Sequence, residues 1–525
     1  MMAKYGGQNE YLVSDNSRRS FEWILLQWPP SGISPAYNAR FTDTPFDVMV
    51  LGASIFRDGR YKWLAERMLS IEIGNSESRH GPIIGLSYWD DEIVSVKPST
   101  SSDYIKGSGG IAQKPSPLLP DKIVFRDGWD QGSLYALLNL RFSGWHSYKA
   151  SNSFVLITYG KPFVVEEVYF THYPWLPEAI ADYRDKKIDR IQLNGFQIEA
   201  EGLEREIYAI TGVGSRWSQD PPRFANVFFF YQMPMTVFSK TAILNWHGWN
   251  HYRISILLEK ECLVVFDYAK GDHPRTVAIT WNLKGYAQQE DQRIRLTQGN
   301  YSLVVSYPHA DDWYIPQISP VERTDQFAGD IHRPDINLYM LSNDKAEVGF
   351  MTMFRPDETD RYFQASRIEV TSDWKESAYP LALGLQIVKP AEVKIIGANF
   401  GTGPFVYKDV RTDAEVFVFR KETNSWNVVF KNSRFFEVAS DRKPLYIKLN
   451  GQYLGERSDW LYNHGLVTIR LRQNEGILEI GFLNAYEPLS QLLEPQPAGE
   501  QPVVNLQGLS LLQTVSLRKK LSMEA

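Results

Sequence analysis

Apolar residues recur at helical spacing near the start of the chain, within residues 41–73. The segments 45–56 and 60–73 each repeat apolar positions about every three or four residues, and Asp58-Gly59 interrupts the pattern between them. The spacing therefore predicts two consecutive helices. Helices confined to this part of the chain are too few for a self-contained helical domain, so we expect their apolar faces to need other partners.

Further along, the pattern changes to short runs rich in β-branched and aromatic residues, separated by turn residues. These runs predict a large antiparallel β-sandwich, and they span 133–142, 151–160, 161–170, 190–200, 226–233, 252–260, 262–271, 276–285, 293–299 and 301–308. A second set with regular hairpin spacing predicts a smaller β-module, at 393–401, 415–422, 426–432, 445–451, 466–473 and 477–484. A helical start before a long series of strands is typical of an α+β multidomain chain that is mostly β.

The domain boundaries follow from composition. A stretch rich in Ser, Gly and Pro at 95–120 is the clearest linker. We divide the chain into a helical part with its linker (1–110), the β-sandwich (111–390), the small β-module (391–490) and a loosely ordered tail rich in Pro and Gln (491–525).

Composition excludes several classes of protein. The 525 residues are enough to bury a core, and the net charge of −6 excludes a strongly basic nucleic-acid binder. Cys262 is the one cysteine, so disulfides within the chain and cysteine-rich metal sites are excluded, and we expect it to be inert core. No apolar run is long enough to span a membrane, and the start of the chain lacks the apolar core of a signal peptide.

Candidate chemistry is sparse along the chain. Nucleotide-binding and serine-hydrolase motifs are absent from the sequence, and Gly248 argues against a metal pair formed by His247 and His251. The strongest region is 122–167, where two strand-like segments flank a turn that carries His146. A histidine on such a loop can reach a groove, although an isolated loop histidine is more often a plain surface residue.

Several short motifs in this region carry a resemblance to a known family. FRDGWD at 125–130, a loop histidine upstream of Ser153-Phe154, and the strand end Gly160-Lys161-Pro162 resemble the heparinase II/III-like polysaccharide lyases. Further stretches match in order, over about residues 20–290. They are Ser34-Pro35-Ala36-Tyr37-Asn38, His80 to Gly85, Tyr183-Arg184 leading to Leu193-Asn194-Gly195, and Arg253 through Asp267 to Trp281.

The resemblance implies an α/α toroid ahead of the sandwich, with the substrate in the cleft between them. It also implies β-elimination on an acidic, uronic-acid polysaccharide: the C5 proton is removed and the glycosidic oxygen leaves C4, which requires a positioned base and neutralisation of the enolate. By motif position the resemblance implies an acid–base pair of Tyr37, as acid to the leaving oxygen, and His146, as second base or polariser, with base duty depending on the stereochemistry of the uronate. The implied substrate-binding residues are Asn38, His80, Arg126, Trp129, Trp145 and Tyr148, and the implied candidates for neutralising the enolate charge are Arg79, His80 and Arg126.

The sequence also departs from the family pattern. Tyr148 and Ala150 stand where many relatives have a second histidine and an aspartate, so we expect no metal and no other cofactor. Only 36 residues precede Tyr37, which leaves room for a partial toroid. Two alternatives to an active lyase remain: a catalytically inactive carbohydrate-binding or scaffold protein of the same fold, and a fragment of a longer lyase. The family resemblance suggests a periplasmic or secreted protein, and the oligomeric state stays open.

Overall fold

The computed structural model describes residues 13–33, 35, 45–74, 87–98, 102–108, 118–141, 151–166, 194–199, 222, 224–308, 313–321, 334–357, 363–370 and 381–482. Within these residues the fold is mostly β, as the sequence predicts. Three helices come first: α1 (Asp15–Gln27), α2 (Phe46–Phe56) and α3 (Gly59–Gly74). None of these helices is both long enough and apolar enough to cross a membrane.

The two predicted helices are confirmed as α2 and α3. The chain breaks between them at Arg57, which has a φ of 51°, and the Asp58 carboxylate then accepts a hydrogen bond from the Arg60 backbone N–H. The sequence analysis missed α1. Its signals are the Ser14 side chain, which accepts from the Ser17 N–H, and the buried apolar residues spaced by four, Phe21 and Leu25.

The helices pack into a small core of their own, built around Phe21, Leu25, Met49, Tyr61 and Leu64. Within the described residues they form one cluster of three helices, which by itself does not make up a toroid. The cluster also contains Trp129 from the sandwich. We expected the apolar helix faces to need other partners, and this side chain is one of them.

A 15-stranded antiparallel sheet forms the main body of the described structure. Its strands are β1 (Asp103–Ser108), β2 (Leu118–Arg126), β3 (Leu134–Asn139), β4 (Ser153–Tyr159), β5 (Lys161–Val165), β6 (Phe196–Ile198), β7 (Asn226–Met233), β8 (Thr236–Trp246), β9 (Trp249–Leu258), β10 (Cys262–Leu283), β11 (Tyr286–Glu290), β12 (Arg293–Gln298), β13 (Tyr301–Ser306), β14 (Ile315–Pro320) and β15 (Ile336–Pro356). The main path runs β1-β2-β3-β4-β5-β10-β15-β13-β12-β11.

The strands β10 and β15 pair along most of their length and organise the sheet. The first half of β10 also pairs with β9, and its second half pairs with β5 and β6. Side chains from β4 and β10 meet in the core of this sheet, where the ring centres of Phe154 and Trp281 lie 5.9 Å apart. Cys262 is part of this core, as predicted, and burial raises the pKa of its thiol to about 12.

Two further sheets form the C-terminal β-module. The eight-stranded sheet holds β16 (Gln364–Ile368), β17 (Ala382–Lys389), β18 (Glu392–Asn399), β21 (Val416–Glu422), β22 (Ser425–Lys431), β24 (Tyr446–Leu449), β25 (Gln452–Tyr453) and β28 (Glu475–Gly481). The five-stranded sheet holds β19 (Phe405–Tyr407), β20 (Val410–Thr412), β23 (Phe435–Ala439), β26 (Trp460–Asn463) and β27 (Leu466–Arg470).

The hairpin β17–β18 crosses the boundary that we predicted at residue 391. It pairs Lys389 with Glu392 across a two-residue turn, and Leu383, Leu385 and Ile396 lie in the core of the large sandwich. The fully buried Lys394 ammonium contacts the carboxylate of Glu261, in the turn between β9 and β10. The module and the sandwich therefore share a core at this hairpin.

Candidate functional site

Polar side chains collect at one corner of the large sheet, where β2 to β5 run side by side. Lys122 is the register partner of Asn139, and Asn139 is the register partner of Ser153. Residues directly opposite each other on antiparallel strands share a face, so the three side chains form one row. Glu166, immediately after β5, joins this row through the Ser153 hydroxyl, which lies 3.4 Å from its Oε1. All four residues are buried.

Glu166 is the most unusual group in this row. Its Oε2 is buried, and no hydrogen-bond partner for it is found among the described residues. Burial raises the pKa of Glu166 well above its ordinary value, and the Lys122 ammonium opposes this effect only in part. Lys122 is committed to Asp121, with 3.0 Å between Nζ and Oδ1. Burial therefore shifts Glu166 towards the neutral acid.

Replacing Glu166 by glutamine is expected to stabilise the protein at neutral pH. A carboxyl whose pKa is raised by folding binds its proton more tightly in the folded state, so stability falls as pH rises above the ordinary value of 4.5 towards the folded-state value. The slope in this window is at most about 1.4 kcal/mol per pH unit. Thermal unfolding between pH 4 and 8 should show a smaller decline for Glu166→Gln than for the wild type.

The matched control for this prediction is Glu92→Gln, because the Glu92 side chain is 85% exposed. This variant should follow the wild-type pH dependence. If Glu166→Gln declines as steeply as the wild type, the carboxyl of Glu166 is charged in the folded protein and the reasoning from its burial is wrong.

Asn152 marks the turn into β4 next to this row. It has a φ of 58°, in the left-handed region that asparagine tolerates better than most residues. Its Oδ1 accepts a hydrogen bond from the Thr241 hydroxyl at 2.7 Å, and its backbone carbonyl accepts from Arg253 Nη1 at 2.9 Å. The turn is thus held by side chains from β8 and β9.

Arg253 is itself held by a buried carboxylate. Its Nε and Nη2 donate to the two oxygens of Asp267 at 2.7 and 3.2 Å. Burial alone would raise the pKa of Asp267, but Arg253 and His251 outweigh burial, and the pKa is lowered. The ion pair is almost completely enclosed, since each residue is 0% exposed.

His251 completes the contacts around this ion pair. Its Nε2 lies 2.7 Å from Asp267 Oδ1, and its Nδ1 lies 3.4 Å from Asn152 Nδ2. A carboxylate only accepts hydrogen bonds, so Nε2 carries the proton and Nδ1 accepts from the amide. Burial lowers the pKa of His251, which favours this neutral form. The ring of Phe196 stacks on the imidazole at 4.6 Å.

Asn194 fixes a second segment at the same corner. Its Nδ2 donates to the carbonyls of Phe154 and Val165, at 2.8 and 2.9 Å, and its own carbonyl accepts from the Phe154 N–H. Its Oδ1 accepts from the Asn282 N–H at 2.6 Å. Asn194 therefore lies beside the start of β4 and the end of β5.

Most of the predicted site residues lie outside the described residues. These are Tyr37, Asn38, His80, Trp145, His146 and Tyr148. The described residues on either side of 142–150 are Arg141, at the end of β3, and Ser151, before β4.

Arg126 is described, and it is fully enclosed. Its Nη2 donates to the carbonyls of Leu26 and Trp28, both at 2.8 Å, at the C-terminal end of α1. The guanidinium lies 3.7 Å from the centre of the Trp129 ring, and Nη1 lies 3.7 Å from the Asp103 carboxylate. Burial lowers its pKa to about 10, so it stays charged at neutral pH. This enclosure argues against the predicted direct contact with sugar.

Trp129 lies in the same contact between helices and sheet. Its ring meets that of Trp63 from α3 edge to face at 5.4 Å, and only 4% of the residue is exposed. The geometry therefore revises the sequence-based assignment for Arg126 and Trp129: both side chains join the helices to the sandwich, because the carbonyls that end α1 need donors there.

The sequence analysis did not select Lys122, Asn152 or Glu166. A signal was available for Lys122 and Glu166, since each adjoins a run of apolar residues, and a lysine or glutamate is rarely buried without a specific reason. Across the described ranges, no group of three or more His, Cys, Asp and Glu side chains is arranged to hold a metal ion.

Comparison with known proteins gives one kind of similarity. No protein-family model and no curated protein sequence matches the chain. Among solved structures, the chain is similar to a heparan sulfate lyase from Pedobacter heparinus, with 13% identity and a TM-score of 0.48, over 70% of this chain and 50% of that one. It is also similar to a heparinase III, with 12% identity and a TM-score of 0.49, over 72% of this chain and 54% of that one.

A second heparinase III structure is similar at 10% identity and a TM-score of 0.47, over 77% of this chain and 52% of that one. The chain therefore spans about half the length of the structures it matches.

Proposed function

We propose that this protein is a polysaccharide lyase that cleaves an acidic, uronic-acid polysaccharide by β-elimination. The observation that carries the proposal is that described residues of three of the motifs, although far apart in sequence, contact one another. The Arg253 guanidinium lies 5.3 Å from the ring centre of Phe154 and 5.6 Å from that of Trp281. Arg253 also binds Asp267, and Phe154 binds Asn194. The described residues of these three motifs thus make one cluster.

In the proposed reaction, Tyr37 or His146 takes the C5 proton, depending on the stereochemistry of the uronate. Tyr37 protonates the leaving glycosidic oxygen, and His146 acts as second base or polariser. We propose Asn38, His80, Trp145 and Tyr148 as substrate contacts, and we leave out Arg126 and Trp129 because their side chains are enclosed. Removing the weakly acidic C5 proton requires a base within hydrogen-bond reach and a group that neutralises the enolate. The proposed steps involve no cofactor.

The test is a screen of the purified protein against heparan sulfate, chondroitin sulfate, hyaluronan and alginate. A lyase creates an unsaturated uronate at each cleavage, so ultraviolet absorbance should rise with at least one of these polymers. Heparan sulfate is the first choice, since it is the substrate named for one similar structure. No absorbance change with any of the four would contradict the proposal.

His146→Ala and Tyr37→Phe should each lower the rate of product formation by at least about 100-fold, which is the lower end of the contribution of a general acid or base. The matched controls are His273→Ala and Tyr286→Phe, at exposed positions of β10 and β11, and both should keep the wild-type rate. Full activity in both His146→Ala and Tyr37→Phe would remove the assigned roles.

The second candidate is a non-catalytic carbohydrate-binding protein of the same fold. It is favoured by Tyr148 and Ala150, which replace the second histidine and the aspartate of many relatives. Calorimetry with the same four polysaccharides separates the two functions. Binding without product, and with equal affinity in Tyr37→Phe, would favour this candidate over the lyase.

A further inference from the structure

A row of polar and aromatic side chains crosses four strands on one face of the eight-stranded sheet. Lys448 on β24 is the register partner of Tyr453 on β25 and of Glu479 on β28. Glu479 is in turn the register partner of Asn427 on β22. Register partners on antiparallel strands share a face, so these side chains form one row. Tyr446 lies on the same face, two residues before Lys448, and we call these five residues the Tyr446 face.

The Tyr446 face points away from the core of the β-module. The residues that alternate with it along the strands are fully buried in that core, and they are Val428, Ile447, Leu478 and Ile480. Tyr453, by contrast, is 52% exposed on a strand of only two residues. Contiguous exposed aromatic surface, unlike single scattered apolar residues, is typical of a binding surface.

The two tyrosine rings of this face meet at a corner and are held in place. Their centres lie 6.1 Å apart, and their planes are inclined by 75°. The Tyr446 ring lies against the backbone of β28, since a Cβ atom on Gly481 would come within 2.2 Å of it. Its hydroxyl donates to the Glu479 carboxylate. The aromatic surface is therefore ordered before any ligand arrives, which lowers the entropic cost of binding.

Hydrogen-bonding groups of both kinds border the rings. The Lys448 ammonium lies 5.1 Å from the centre of the Tyr446 ring, 5.3 Å from that of Tyr453, and 3.5 Å from Glu479 Oε2. The Asn427 side chain is half-buried, and within the part of the chain that the structure describes its amide has no hydrogen-bond partner. This amide offers both donors and an acceptor to a ligand on the face.

We propose that the Tyr446 face binds an uncharged polysaccharide, an inference that goes beyond the proposed lyase reaction and does not rest on it. A pyranose ring has an apolar face of C–H groups, which packs on an aromatic ring, and hydroxyls at its rim, which need a few well-placed polar partners. Tyr453 supplies the exposed ring for this contact. Asn427 and Glu479 supply the polar partners on the same side of the sheet.

The charges on the face favour an uncharged polymer over an acidic one. Lys448 is paired with Glu479, and the carboxylate is the more exposed member of the pair, at 35% against 17% for the lysine side chain. An acidic chain laid on this face would meet a like charge, which is unfavourable. Sugar hydroxyls, in contrast, donate charge-assisted hydrogen bonds to a carboxylate.

Affinity electrophoresis of the full chain tests the proposal. Native gels carry hydroxyethylcellulose, mixed-linkage β-glucan, galactomannan or dextran, and a parallel gel carries heparan sulfate as the acidic polymer. At least one uncharged polymer should retard the wild type, and Tyr453→Ala should weaken that affinity by about tenfold. Tyr453→Phe keeps the ring and should bind as the wild type does. The matched control is Tyr286→Ala, at a tyrosine of β11 that is 72% exposed, and it should also bind normally.

Asn427→Ala is a second variant, and it acts on a polar contact instead of a ring. Loss of one hydrogen bond to the sugar should weaken the affinity by about fivefold. Asn463→Ala removes an exposed amide on β26, in the five-stranded sheet, and should leave the affinity unchanged. Urea unfolding midpoints equal to that of the wild type would show that both alanine variants are folded.

The possible outcomes separate this proposal from the lyase assignment. Retardation by none of the four uncharged polymers overturns it. Retardation that is equal in the wild type, Tyr453→Ala and Asn427→Ala places the binding elsewhere on the protein and overturns it as well. Heparan sulfate binding that is lost in Tyr453→Ala overturns the choice of an uncharged ligand. Retardation does not require turnover, so a protein that forms no unsaturated product would contradict the lyase assignment and leave this site standing.

Discussion

Replacing Arg126 by methionine is expected to lower the free energy of unfolding by about 3–5 kcal/mol, the range for removing one member of a buried charged contact. Methionine fills part of the volume but donates no hydrogen bond. The carbonyls of Leu26 and Trp28 would then end α1 in an enclosed region without donors. Asp103 would lose the cation that faces it. Urea unfolding followed by tryptophan fluorescence and circular dichroism measures this loss.

We expect the loss of stability in Arg126→Met to weaken the contact between the helices and the sandwich first. Three consecutive carbonyls at the end of α1, those of Leu26, Gln27 and Trp28, accept hydrogen bonds from Arg126 and Tyr135 of the sheet. The variant should therefore show helix signal disappearing at a lower urea concentration than strand signal. Arg472→Met, at a side chain 79% exposed, is the matched control and should stay within about 0.5 kcal/mol of wild type. A single transition at the wild-type midpoint in Arg126→Met would contradict this reading of the contact.

Asp267→Asn is expected to have an effect of similar size, about 3–5 kcal/mol, for a different reason. The change is nearly isosteric, so it opens no cavity, but it leaves the Arg253 charge enclosed without a counter-ion. The introduced amide would also offer His251 a weaker acceptor than the carboxylate does. Chemical unfolding at neutral pH measures the loss, and Asp441→Asn, at a side chain 91% exposed, should have almost no effect.

The pH dependence of this variant follows from the lowered pKa of Asp267. A carboxyl whose pKa is depressed by folding contributes stability above its ordinary value of 3.8, and this contribution is lost as pH falls through the folded-state value. The difference between wild type and Asp267→Asn should thus be complete at neutral pH and shrink below about pH 4. A difference that stays constant into strong acid would show that the carboxylate charge is not what stabilises Arg253.

The periodicity of the sequence was enough to predict α2, α3 and most short strands. It was not enough to predict β15. The middle of this strand, Ser342 to Lys345, is polar and resembles a turn in sequence, although the pairing of β15 with β10 continues on both sides. The break predicted after residue 271 was wrong for the same reason. The segment Asp272 to Pro274 resembles a turn in sequence. In the structure β10 continues through it, and its pairing with β15 shows register shifts between Lys270 and Val277. Whether such polar residues continue a strand depends on the partner strand, and the local sequence pattern carries no information about that partner.

The candidate site shows the same limit at the level of single residues. An arginine next to a tryptophan in FRDGWD is chemically suited to bind sugar, and only the unpredicted α1 supplies the carbonyls that occupy Arg126. Lys122 on β2 and Glu166 directly after β5 are distant in sequence, and the register of β2 to β5 brings them to the same corner of the sheet. Composition and spacing suggest which residues could carry chemistry. The groups that surround those residues are determined by strand pairing, which the sequence pattern does not give.

The hairpin β17–β18 has a consequence for how this chain can change over evolution. Leu383, Leu385 and Ile396 lie in the core of the large sandwich, while their strands β17 and β18 belong to the eight-stranded sheet. The C-terminal module therefore cannot be separated from the sandwich without disrupting a shared core. A gene rearrangement that cut at residue 390 would expose an apolar surface on both products. Gain, loss or exchange of this module would thus have to include the hairpin, and the inherited unit begins upstream of it.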